Sequence, residues 1–198
     1  MNSGIFNFNF IKLNLLFDFL GDILESSELK KLLKFSLNEK KVIKELELPE
    51  DAFLPLIFSI RFGGDWSLNK NSKKVMSIKE KITKYDEETK VGYTLERVYL
   101  FLNPVILTQE GTIYRLEKCS NKQEREMVKR PYKVSVDADY ILEATLDPIE
   151  SEIGLKKINS PLKFTGPSAY GVSHEMEHLE EKETKGKPFW EFEYKIKD

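Results

Sequence analysis

The chain has 198 residues, 40% hydrophobic and 32% charged, with a formal net charge of -2. That length suits one domain with its own core, and the near-neutral balance gives no electrostatic reason to expect nucleic acid as a partner. A single cysteine, Cys119, excludes an intramolecular disulfide framework, so a cytoplasmic, reducing setting is the default expectation.

The apolar stretch from Ile5 to Leu24 lacks a positively charged start and is interrupted by Lys12, Asp18 and Asp22. It is therefore expected to be a buried or docked helix, and no membrane association is expected. Helical spacing predicts one helix from Phe10 to Ile23 and a second from Ser27 to about Leu37, capped by Ser26 or Ser27. Phe53 to Phe62 is too apolar to assign by period and fits a helix or a buried strand, closed by the turn signal Gly63-Gly64-Asp65. Asn69 to Lys90 is rich in Lys and Glu; it reads as an exposed strand pair or a loop-rich insertion whose charges form a solvated face without function.

The segment Arg97 to Leu107, RVYLFLNPVIL, is β-branched and aromatic, and the Asn103-Pro104 inside it predicts a strand that bends or changes partner there. Further strands are expected just before Cys119, at Lys133 to Val136 and near Tyr140 to Thr145. Gly166-Pro167-Ser168 punctuates the approach to a helix over Ala169 to Lys182, which ends before Gly186 and Pro188. The tail Phe189 to Ile196, FWEFEYKI, alternates apolar and charged residues and reads as a half-buried strand. Strands in the middle and one late helix imply an α+β fold with mixed or antiparallel sheets. The expected organisation is one domain over 1–198, with an N-terminal helical portion over 1–65 and a metal-site core over 91–198.

Both histidines of the chain lie in Ser173-His174-Glu175-Met176-Glu177-His178-Leu179. On a helix His174 and His178 share a face one turn apart and can present two imidazole nitrogens to one ion. Glu175, about 100° round the helix, can take a proton from water whose pKa the metal lowers. Such a site needs a third protein ligand. Cys119 is one candidate, although a lone thiol is equally often a small core residue; Glu177, Glu180 or a later Glu is another.

The order of elements resembles peptide deformylase. The residues that carry the resemblance are Leu102-Asn103-Pro104, Glu117-Lys118-Cys119-Ser120, Val128-Lys129-Arg130-Pro131 leading into the strand at Lys133, and His174-Glu175-Met176-Glu177-His178-Leu179, with Gly166 and Ala169 ahead of the first histidine. The resemblance implies a sheet-rich fold around the HExxH helix, with Cys119, His174 and His178 holding one Fe(II), Zn(II) or Ni(II) ion and Glu175 as general base and acid. It implies removal of the N-formyl group from the methionine end of a peptide or nascent chain. The glycine-rich first motif of that family, whose Gln donates to the oxyanion, has no counterpart; Val91-Gly92 would leave Lys90 at the Gln position. The readings beside it are a deformylase-like protein that binds a metal or a peptide end without turnover, and an HExxH peptidase with a carboxylate third ligand.

Overall fold

The computed structural model describes residues 35–70, 72–119 and 124–196. The helix expected over Phe10 to Ile23, and most of the one over Ser27 to Leu37, lie outside these residues. Leu37 itself begins a helix rather than ending one. Helix α1 spans Leu37–Glu45, and Ser36 is its N-cap: the Ser36 hydroxyl accepts from the Glu39 amide while the Glu39 carboxylate accepts from the Ser36 amide. A 3-10 turn over Glu50–Phe53 leads into α2, Leu54–Phe62, with Pro55 in its first turn. Phe53 to Phe62 is thus helical, the two open alternatives being resolved by packing.

Among the described residues eleven strands come after α2: β1 Trp66–Lys70, β2 Lys73–Asp86, β3 Val91–Leu102, β4 Val105–Glu110, β5 Ile113–Glu117, β6 Glu126–Arg130, β7 Lys133–Asp137, β8 Tyr140–Asp147, β9 Glu152–Ile158, β10 Leu162–Thr165 and β11 Lys187–Pro188. Helix α3, Pro167–Leu179, carries the histidines. The sheets run β1-β2-β3-β8-β9, β10-β7-β4 and β11-β6-β5. The architecture is α+β, and every described strand pairing is antiparallel.

The five-stranded sheet is apolar on both faces, because alternate residues of its central strands point to opposite sides. Val75, Val98, Leu100, Leu142 and Ala144 face one way and pack with Ile43, Phe53, Leu56 and Ile57 of the N-terminal helices. Met76, Ile78, Tyr99, Phe101 and Ile141 face the other way and meet Val134, Val136 and Phe164 of the second sheet and Ala169, Val172, Met176 and Leu179 of α3. The HExxH helix is therefore clamped between two sheets.

Asn103-Pro104 does switch sheets: β3 pairs with β2 and β8, whereas β4 pairs with β7. Asn103 makes the change with φ 52°, its side-chain carbonyl accepting from the Lys74 amide at 3.1 Å and its side-chain NH2 donating to Asp139 at 2.7 Å. Two expectations need correction. Of the alternatives for Asn69 to Lys90, the strand pair holds and the insertion fails; β2 pairs with β1 and β3 inside the large sheet, and it is not wholly exposed, since Val75 to Ile78 are buried. The tail is not a half-buried strand; after β11 it forms a 3-10 turn at Phe189–Glu191, and Tyr194 and Ile196 are almost fully exposed. No described helix is long and apolar enough to cross a membrane.

Candidate metal centre

Helix α3 starts at Gly166, whose φ of 66° turns the chain and whose amide donates to the Tyr132 carbonyl, with Pro167 preset for the first turn. Its apolar residues Ala169, Val172, Met176 and Leu179 bury into the core at spacings of three and four. This fixes the rotation of the helix about its axis. His174 and His178 consequently project from one side, their Nε2 atoms 3.1 Å apart and their rings edge to face at 4.7 Å.

Cys119 follows β5 by two residues and is buried. Its Sγ lies 3.5 Å from His178 Nε2, and the donor atoms of Cys119, His174 and His178 all fall within 4.8 Å of one another. Bond lengths of about 2.0–2.3 Å in tetrahedral geometry put ligand atoms roughly 3.3–3.6 Å apart. The three side chains fit one borderline divalent ion such as Fe(II), Zn(II) or Ni(II), and the thiolate with two imidazoles is a donor set suited to it. Glu177 does not serve as a third ligand: its carboxylate accepts from Arg130 Nη1 at 2.6 Å and from the Thr184 hydroxyl at 2.7 Å.

A buried charged network orients His174. Its Nδ1 lies 3.2 Å from Glu117 Oε2, and Arg130, itself buried, clamps Glu117 through Nε and Nη2 and Glu177 through Nη1 and Nη2. Burial would raise the Glu117 carboxyl, but the bonds from His174 and Arg130 and the Arg130 charge outweigh it and hold it at about 2. Burial likewise opposes charge on His174, yet the hydrogen bonds of Cys119 and Glu117, with the charges of Glu175 and Glu117, push it up to about 10. The surroundings that favour a proton there favour a metal cation, which takes the proton's place. A carboxylate on Nδ1 also leaves Nε2 directed at the ion.

Glu175 is buried on the flank of α3 next to the histidines, facing β1. Burial raises its pKa, while the Ser67 hydroxyl and the two histidines lower it. Strand β1 and the residue before it track the helix in step. Asp65 packs against Gly171, Ser67 bonds Glu175, and Asn69 Nδ2 donates to the Leu179 carbonyl at 3.5 Å. Four strand residues rise about 13 Å and eight helix residues about 12 Å, so alternate residues of the strand meet every fourth residue of the helix.

Asp65 and Ser67 were missed as site residues. The signal is Gly63-Gly64-Asp65, which by sequence reads only as the turn that closes Phe53 to Phe62, although β1 begins at the next residue. Both glycines have φ 77°, and the Ser59 hydroxyl holds the turn by donating to the Gly64 carbonyl at 2.7 Å. Lys90, set by sequence spacing at an oxyanion position, instead caps the exposed β2–β3 hairpin and pairs with Glu87.

A family model, RimB-like, described as retropepsin-like aspartic endopeptidase RimB, matches residues 52–157. No curated protein and no solved structure matches. The matched segment contains Asp65, Glu117, Cys119 and Arg130 and ends before α3. It overturns the resemblance to peptide deformylase, and with it the expected removal of N-formyl groups from methionine. That resemblance rested on an HExxH helix and short motifs around one cysteine and one arginine, which metal-site geometry alone can impose on unrelated chains. Of the five aspartates in the matched segment, Asp86 and Asp147 accept backbone amides in turns, Asp137 accepts the Ala138 amide and Asp139 accepts from Asn103. Asp65 is the one that reaches α3.

Proposed function

The chain belongs to the RimB-like family, described as retropepsin-like aspartic endopeptidase, and from that peptidase description together with the three donor side chains, which alone carry the metal, we propose that it is a metal-dependent hydrolase of peptide bonds. Cys119, His174 and His178 would hold one divalent ion, Fe(II), Zn(II) or Ni(II), and Glu175 would serve as general base and acid. The observation that carries this reading is the convergence of the three donor atoms within 4.8 Å beside a buried glutamate on the same helix. When bound, the ion supplies a Lewis acid that polarises a carbonyl and lowers the pKa of water.

The chain's own residues do the rest. Glu175 accepts a proton from water and passes it to the leaving amine, which requires its carboxylate held still but not neutralised. Ser67 holds it with a single hydroxyl. Glu117, locked by Arg130, keeps His174 in the rotamer and tautomer that the ligand set needs. No described lysine or arginine forms an ion pair with Glu175 that would quench it as a base.

The test begins with the metal content of the purified protein. One equivalent of a divalent ion is expected, reduced in Cys119→Ser. Peptide hydrolysis should fall by about 100- to 10,000-fold in Glu175→Gln while the metal is retained. Full activity after exhaustive chelation would sink the reading. A second reading follows from the family's description: Asp65, whose carboxyl the Glu175 charge helps to raise, and the buried Glu175 could act as an acid pair without metal. Chelation-resistant activity lost in both Asp65→Asn and Glu175→Gln would favour it.

A further inference from the structure

A cleft of about 540 Å³ opens between β2 and the first turn of α3, lined among others by Gly64, Asp65, Lys79, Glu80, Thr165 and Ser168. Its positive side chains are committed: Lys79 and Lys81 both pair with Glu96. Glu80 lies across from Arg97 in the β2–β3 register. Asp65 is different. Its Oδ1 accepts the Lys79 amide at 2.8 Å, but its Oδ2 faces the bare backbone of Gly171, and no described cation forms an ion pair with it. The nearest positive influences are His174 and Arg115, and the Arg115 guanidinium lies over the Tyr170 ring at 4.8 Å.

A half-buried carboxylate without a cationic partner is costly, and its partial removal from water pushes the Asp65 carboxyl up to about 6. The fold nevertheless makes room for it. A Cβ at position 171 would overlap the Asp65 carboxylate, so the helix leaves a gap one turn, about 6 Å, before Glu175. An extended peptide covers that distance in about two residues.

We propose that Asp65 is the specificity residue of this site, and that the cleft takes a positively charged group of a peptide substrate, an ammonium or a guanidinium, placing it within about two residues of the bond at Glu175. This rests on the reading of the His174–His178 centre as the place of peptide hydrolysis. The ammonium can come from a peptide N-terminus or from a lysine side chain, and a guanidinium from arginine. Each would form a charge-assisted hydrogen bond to the Asp65 carboxylate, which lines the cleft.

The test compares four matched peptides on the metal-loaded protein: one with a free N-terminus and no basic residue, one acetylated with lysine, one acetylated with arginine, and one acetylated and neutral. At least one cationic peptide is expected to exceed the neutral one roughly tenfold in kcat/KM, and Asp65→Asn should bring that ratio close to one. The peptide that shows the preference identifies the source of the charge. No preference in the native protein overturns the inference, as does an Asp65→Asn variant that keeps the ratio or loses all four activities in equal proportion. If the native protein hydrolyses none of the peptides, the hydrolase reading fails, and calorimetric titration with arginine amide and its neutral isostere citrulline amide decides the subsite. Selective binding of arginine amide that Asp65→Asn removes upholds it; equal binding of the two overturns it.

Discussion

At the scale of single residues, the site depends on side chains outside the Cys119, His174 and His178 cluster. Glu117 is the first. Its carboxylate bonds His174 Nδ1, so removing the charge frees the ring to turn. Glu117→Gln should weaken metal affinity by about 10- to 100-fold, read by competition with a chromogenic chelator, and an unchanged affinity would remove Glu117 from the centre. Asp65 is the second, through pH. Its carboxyl is raised from 3.8 to about 6 on folding, so the folded state binds the proton more tightly than the unfolded one. Its contribution to stability is complete below about pH 4 and is lost as pH rises through 6. In chelator-treated protein, Asp65→Asn should therefore gain on the native chain by about 3 kcal/mol between pH 4 and pH 8, measured by urea unfolding. A pH-independent difference would show that Asp65 is not held in a desolvating environment. His174, His178 and Glu175 were legible as a group because ligand spacing on a helix is a local property. Asp65 and Ser67 were not, since a carboxylate and a hydroxyl carry no mark of which helix they will face.

At the scale of elements, the docking of β1 on α3 turns on one missing side chain. Gly171→Ala ought to gain about 1 kcal/mol from helix propensity, yet the added methyl would overlap the Asp65 carboxylate. The net expectation is a loss of about 1–3 kcal/mol, which Asp65→Ala should largely relieve in the double variant. Additive losses in a thermal unfolding cycle would mean that the two positions do not meet. The sheet switch at Asn103-Pro104 could be read ahead because proline cannot donate to a central ladder and asparagine tolerates the left-handed turn. The burial of strand β2 inside the large sheet could not. Its outer half is written in Lys and Glu, and its four buried residues, Val75 to Ile78, are too short a run to outweigh that composition. The tail failed for the opposite reason: its alternation was correct for a strand, but beyond β11 no sheet edge receives it.

At the scale of the whole molecule, one sheet serves two cores, with the N-terminal helices on one face and the HExxH helix on the other. Phe101 is fully buried on the α3 side and stacks edge to face with Phe164 of the second sheet. Phe101→Ala should cost about 3–5 kcal/mol by urea unfolding; a cost below 1 kcal/mol would show that the layers are not closely packed there. The pattern of residues along the chain determined by itself the α+β class, the break at Asn103-Pro104 and the helix that offers two imidazoles and a carboxylate. These follow from backbone periodicity and from ligand spacing within one element. Only the tertiary structure decided that Cys119 stands beside the histidines, that Arg130 holds Glu177, and that Asp65 lies against Gly171. Those contacts join positions 47 to 106 residues apart, and their register is set by which apolar faces of α3 and the sheets bury together.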